Sequence, residues 1–270
     1  MKFIISTFFI FITLLFSCNT QFQKSSINDE LIENDDLVTI IHPKELKIFT
    51  KFETPHDYKR LQNINNFGKW LNNIALKNNN VPVYTYEGHI KTNPNVYVGV
   101  LDLQQPKKNL QFNSNALLRL RAEYLFRTKN YEKLDALANI KSNPITFTKF
   151  VNGDYSYDQF FKYITYYLEN SSPQTINDFL TPISLKDIQI GDVFFQKGNI
   201  KSHGVIVVDI AQDGIGNKLF ILAQSYYPSQ DIQIITNPSN DFLSPWYQAK
   251  EGILLTPEWR FFSSDLMRFK

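Results

Sequence analysis

The chain has 270 residues, 43% of them hydrophobic and 20% charged, with a formal charge of +2 at pH 7. That length can bury a sizeable core as one large domain or two small ones. The near-neutral charge gives neither a basic footprint for nucleic acid nor an acidic one for cations. Rings are plentiful, with 23 Phe, 14 Tyr and 3 Trp, and suggest an aromatic core or cleft.

At the N-terminus, "MKFIISTFFIFITLLFSC" places an apolar run from Phe3 to Phe16 behind one lysine. The run is shorter than the roughly 20 apolar residues of a membrane-spanning helix and has the size of a signal-peptide core. Its "LFSC" end resembles a lipobox, with large Phe16 where a small residue is usual. The expectation is a lipoprotein signal peptide over residues 1–17 and a diacylated Cys18 as first mature residue. The lipid would hold the protein on an envelope membrane, the outer one by preference. The alternative is an ordinary signal peptide with an incidental cysteine. Cys18 is the only cysteine, so the mature chain has no disulfide, no thiolate metal site and no cysteine nucleophile. Residues 18–38 are polar and aperiodic, a flexible tether. Residues 39–270 contain no linker-like stretch and no internal repeat, so a single domain is expected.

Within it, "FGKWLNNIAL" spaces Phe67, Trp70, Leu71 and Ile74 on one helical face. "VPVYTY" and "VYVGVLD" read as strands. "SNALLRLRAEYLFRTKNY" is the longest helix, with Ser114 as N-cap, and "YDQFFKYITYYLEN" is another. The last third turns to strands: "GDVFFQ", "HGVIVVDI", "KLFILAQSYY", "IQIIT" and "GILLTP". Helices first and consecutive strands later predict an α+β fold with an antiparallel sheet formed mainly by the C-terminal third.

Two places break the local rules. In the longest helix Arg121 falls within the apolar face of Leu117, Leu118, Leu120, Tyr124 and Leu125, where it must pair, snorkel or bind an anion. Arg119, Glu123 and Arg127 form an i, i+4, i+8 series expected on the solvent side. The other break is His203 at the start of an apolar strand. Alternation puts His203, Val205, Val207 and Asp209 on one face, and a hairpin closing near Gly214 and Ile215 sets Gln224 opposite Val205. His203 is then either a base oriented by Gln224 or a packed core histidine.

"GDVFFQKGNIKSHGVIVVDI" resembles the strand pair of papain-like cell-wall hydrolases of the NlpC and CHAP type. The resemblance implies a papain-like arrangement, with helices packed on the sheet and His203 as base and Gln224 as its orienter. A nucleophile would stand at the start of the longest helix, among Asn113, Ser114 and Asn115, none of which is cysteine. Arg121, Glu123, Ser225 and Tyr226 are the accompanying substrate-binding candidates. Over nearly the whole mature chain, "FGKWLNNIALK", "VPVYTYEG", "LRLRAEYLF", "IQIGDVFFQ", "LFILAQSYYPSQDIQIITNP", "SPWYQ" and "TPEWRF" resemble Bacteroidota lipoproteins of the domain-of-unknown-function 4846 family. Three functions stay open: processing peptidoglycan-derived peptides without a thiol, binding muropeptides without turnover, or a structural or partner-binding envelope role. His42, His56 and His89 lack metal-ligand spacing, so neither metal nor cofactor is expected, and nucleic acid is not an expected partner.

Overall fold

Capping side chains and apolar periodicity set the helices of the first half. In the computed structural model, which describes residues 37–138, 145–172, 175–198 and 202–270, helix α1 covers Ile48–Lys51 and strand β1 Lys59–Arg60. Helix α2 (Asn66–Asn72) starts where the Asn65 side chain accepts the Gly68 N–H at 2.7 Å, a cap worth about 1 kcal/mol. Strand β2 spans Tyr97–Val100. The anticipated strand "VPVYTY" makes only single bridges, at Tyr84 and Thr85; Pro82 brings no N–H to a ladder. Four helices follow: α3 (Ser114–Arg127), α4 (Tyr131–Ala136), α5 (Phe147–Val151) and α6 (Tyr157–Glu169). Asn113, not Ser114, is the N-cap residue of α3.

The strands of the second half are β3 (Leu180–Pro182), β4 (Val193–Gln196), β5 (His203–Gln212) and β6 (Lys218–Gln224). β7 (Gln233–Ile235), β8 (Trp246–Gln248), β9 (Ile253–Leu255), β10 (Arg260–Phe262) and β11 (Leu266–Phe269) complete them. Among the described residues they form a nine-stranded antiparallel sheet in the order β2-β7-β6-β5-β4-β11-β3, with β1 on β5 and β8 on β6, while β9 and β10 form a separate hairpin. The fold is α+β, its sheet drawn mostly from C-terminal strands. Leu37 already packs on the core, and the Thr39 N–H donates to the Phe242 carbonyl at 2.9 Å. The expected signal peptide, Cys18 and the expected tether up to residue 36 lie outside the described residues. Among those described, no helix is long and apolar enough to cross a membrane.

Helix α3 is covered on several sides. Leu117 meets β5 at Gly204, and the Arg119 guanidinium lies over the α6 rings Phe160 and Phe161, 5.6 and 6.0 Å from their centroids. This corrects the solvent-side ladder: the Arg119 and Glu123 side chains are fully buried and paired, and only Arg127, bonded to Glu123 at 2.7 Å, is half-exposed. Tyr157 joins the group through its hydroxyl, 3.3 Å from each of Arg119 and Glu123. A helix packed on both sides has no free face for charges, so they neutralise one another.

A β-bulge between Val207 and Asp209 changes the register of β5 against β6. Beyond it, Asp209 meets Arg60 at 2.8 Å and accepts from Asn72 of α2, on the helix side. The expected sharing of one face by His203 and Asp209 therefore fails, because the extra residue turns the strand between them.

The turn before β4 presses on α2. Gly191 has φ +97°, and a Cβ there would stand 2.8 Å from the Phe67 ring. Gly191→Ala is expected to cost roughly 2–4 kcal/mol, combining a left-handed backbone with a ring contact. Gly88→Ala, at φ +86° but facing open space, should cost less by the steric part. Urea midpoints at constant slope measure both, and equal losses would refute the contact argument.

Candidate functional site

At Gly204 an added Cβ would lie 2.7 Å from Leu117 Cδ1, so α3 rests directly on the start of β5. One helical turn earlier comes Asn113, which passes the ends of the strands and donates its N–H to the Ser225 carbonyl at 3.2 Å. Its backbone sits at φ 50° and ψ −128°, uncommon for any residue but glycine. Its side chain makes no cap bond to α3. Instead Oδ1 of the Asn113 amide is placed 2.9 Å from Nδ1 of His203.

The other ring nitrogen, Nε2, stands 3.1 Å from Oε1 of Gln224. Ile206 faces Ala223 across the hairpin, so the register on this side of the bulge sets His203 near Tyr226 and Gln224 near Val205, as the sequence predicts. Gln224 donates its amide N–H to Glu258 Oε2 at 2.6 Å, and Glu258 pairs with Lys91 at 2.7 Å. Lys91 also donates to Gln230 at 3.1 Å. The result is a polar line, Asn113–His203–Gln224–Glu258–Lys91, running through an apolar setting.

That setting closes over the imidazole. His203 has 0% exposure, with Tyr226 edge-on at 5.2 Å, Trp259 at 5.1 Å and Phe261 stacked at 5.7 Å between ring centroids. Trp259 and Phe261 arrive at the β10 end of the separate hairpin. Burial drives the His203 pKa down to about 4; the Gln224 bond opposes this and the Lys91 charge adds to it. The ring is therefore neutral near pH 7, with one donor and one acceptor. Gln224 gives its N–H to Glu258, so its oxygen takes the proton on Nε2. Nδ1 then accepts, which asks the Asn113 amide to turn its NH2 end toward the ring.

Of the sequence candidates, the structure brings together His203, Gln224, Ser225, Tyr226 and Asn113. Ser225 is buried, its hydroxyl between the Gln111 and Gln230 carbonyls at 2.6 and 2.8 Å and sharing its one proton between them. Tyr226 donates to the Glu258 carbonyl at 3.2 Å. Arg121 and Glu123 do not join them. Glu123 is held by Arg119, Arg127 and Tyr157, and Arg121 opens on a different cavity. Glu258, Lys91 and Trp259 were not singled out from the sequence. Lys91 and Glu258 are separated by 167 positions, and no local spacing announces such a pair. No metal-holding group of three or more His, Cys, Asp or Glu exists among the described residues.

A family model described as "Domain of unknown function (4846)" matches residues 48–268. No curated protein and no solved structure matches the chain.

The buried ring makes stability depend on pH. Its folded pKa lies below the ordinary 6.5, so the unfolded chain gains the proton first. The His203 contribution is whole above about pH 6.5 and is lost toward pH 4, by roughly 3 kcal/mol. Asp209 works in the opposite sense: burial raises its carboxyl to about 6 against the pull of Arg60, so its contribution grows as pH falls from 6 to 4. His203→Gln removes only the first effect. The unfolding free energy of the wild type minus that of His203→Gln should shrink by roughly 3 kcal/mol from pH 7 to pH 4. A constant difference in chemical denaturation would contradict the buried neutral ring.

Proposed function

The chain belongs to the domain-of-unknown-function 4846 family, and on that premise we propose that it is a catalytically silent envelope lipoprotein of papain-like descent. Asn113, His203 and Gln224 follow one another in space as nucleophile, base and orienter would in such a hydrolase, and Asn113 holds the nucleophile's place. The observation that carries the reading is the 2.9 Å approach of the Asn113 amide to Nδ1 of His203, from a strained backbone at the start of α3.

An asparagine amide is no substitute for a thiolate. Its nitrogen is conjugated to the carbonyl, and the imidazole has no acidic proton to take from it. The Asn113 N–H, a natural donor to an oxyanion, is already spent on Ser225. The ring itself is sealed by Tyr226, Trp259 and Phe261 and stays neutral. In this reading the polar line joins α3, the sheet and the β9–β10 hairpin, and the lipid on Cys18 keeps the domain at the membrane surface.

The experiment restores what is missing. Asn113 is half-buried rather than sealed, so a thiol placed there meets both solvent and His203. In Asn113→Cys a thiolate would supply the negative charge that the neutral amide lacks and so favour an imidazolium at His203. That ion pair is expected to hold the thiol pKa, from the pH dependence of iodoacetamide alkylation, about one unit below the ordinary 8.5. His203→Gln in that background should return it upward. The unaltered protein should release no fragments from peptidoglycan over hours. An ordinary thiol pKa, or wild-type cleavage that His203→Gln abolishes, would each overturn the reading. Cys18→Ser should move the protein out of the membrane fraction, and unchanged fractionation would remove the lipid anchor.

A further inference from the structure

The turn Ile190–Asp192 and strand β11 face α2 and α3 across a cavity of about 240 Å3. It has no lining residue in common with the surroundings of His203. Its walls are firmly set, since Phe67 rests on Gly191 and Gly68 lies against Ile190, where an added Cβ would come within 3.0 Å.

Arg121 lines this cavity from α3. Its guanidinium carbon lies 4.8 Å from the ring centroid of Phe67, 5.6 Å from that of Tyr124 and 5.5 Å from that of Phe269. Among the described residues no carboxylate approaches within 4.0 Å of it, and no acceptor takes its N–H groups. The other cations are differently placed. Arg268 is held by Asp192 in a two-pronged pair at 2.7 and 2.9 Å, and Lys133 is exposed. Burial lowers the Arg121 pKa, with only the Tyr124 phenol opposing, yet a guanidinium remains charged at any ordinary pH. The contrast with the other described arginines that are at least half-buried is plain: Arg119, Arg60 and Arg268 each have a carboxylate, and Arg121 has three rings and an opening. Rings stabilise a cation in part, but they give the planar fork of five donors no acceptor.

We propose that this cavity binds a small organic carboxylate, held by paired N–H···O bonds from Arg121 with its carbon skeleton against Phe67, Tyr124 and Phe269. A planar monoanion matches one planar fork. A phosphate dianion asks for more donors than one fork and one exposed lysine supply, and the Asp192 carboxylate in the same lining disfavours the second charge. The site stands independently of the silent His203 line, and neither proposal's failure touches the other.

The test titrates the full chain with benzoate, benzyl alcohol and phenyl phosphate, followed by calorimetry and by the fluorescence of Trp70, which stacks 6.1 Å from Phe67. Benzoate is expected to bind saturably, with benzyl alcohol and phenyl phosphate weaker by tenfold or more. Arg121→Met keeps an unbranched apolar stem and removes the guanidinium; it should lose benzoate at least tenfold without lowering the unliganded melting temperature. Arg121→Lys, which keeps charge but not the fork, should weaken benzoate several-fold. Benzoate binding unchanged in Arg121→Met, equal binding of benzyl alcohol, tighter binding of phenyl phosphate, or no benzoate binding would each overturn the assignment. A fall in melting temperature in Arg121→Met with benzoate binding intact would make Arg121 a packing residue instead.

Discussion

A single missing side chain governs how the helices meet the sheet. At Gly204 there is no room for a Cβ beneath Leu117, so α3 lies on the first turn's worth of β5 as closely as backbone allows. Everything around His203 follows from that approach. It fixes the height of α3, brings Asn113 past the strand ends one turn earlier, and forces its backbone to φ 50° to re-enter the helix. It also places α3 between the sheet and α6, which is why a segment with three charges in a row of turns has no water to offer them.

The charged groups respond to that lack of water in two ways. Most pair: Arg119 with Glu123, Arg60 with Asp209, Arg268 with Asp192, and Lys91 with Glu258. Buried pairs of this kind contribute little net stability against apolar residues of the same shape, but leaving one partner alone costs several kcal/mol. They therefore act mainly as constraints on which segments may meet, tying β11 to the turn before β4 and the chain near Lys91 to the one near Glu258. Arg121, half-buried, departs from the rule, and it does so at an open cavity. His203 follows a third course and gives up its charge.

The sequence made visible what is local. Helix α6, the long α3 and the hairpin of β5 and β6 are legible from period and turn. The meeting of His203 with Gln224 matches the expected register only because the bulge offsets a turn that closes one step from the expected one, with Gln212 opposite Lys218. The burial of Arg119 and Glu123 does not show in the local spacing, because their neighbours belong to α6, 38 positions on from Arg119 at Tyr157. Glu258, Lys91 and Trp259 carry no local signal for the same reason: each gains its meaning from residues far along the chain. Ser114 looked like a cap on residue type alone, whereas the residue before it occupies the cap position and turns its side chain elsewhere.

The bulge in β5 divides one continuous strand into two reading frames. Up to Val207 the alternation serves the imidazole, and from Asp209 onward it serves the ion pair with Arg60. Losing one residue at Val208 would merge the frames, so one of the two side chains would have to point the wrong way. The strand thus carries an insertion that cannot be removed quietly. Relatives of this chain should keep the same count of residues between the histidine and the aspartate, whatever else in the strand they change.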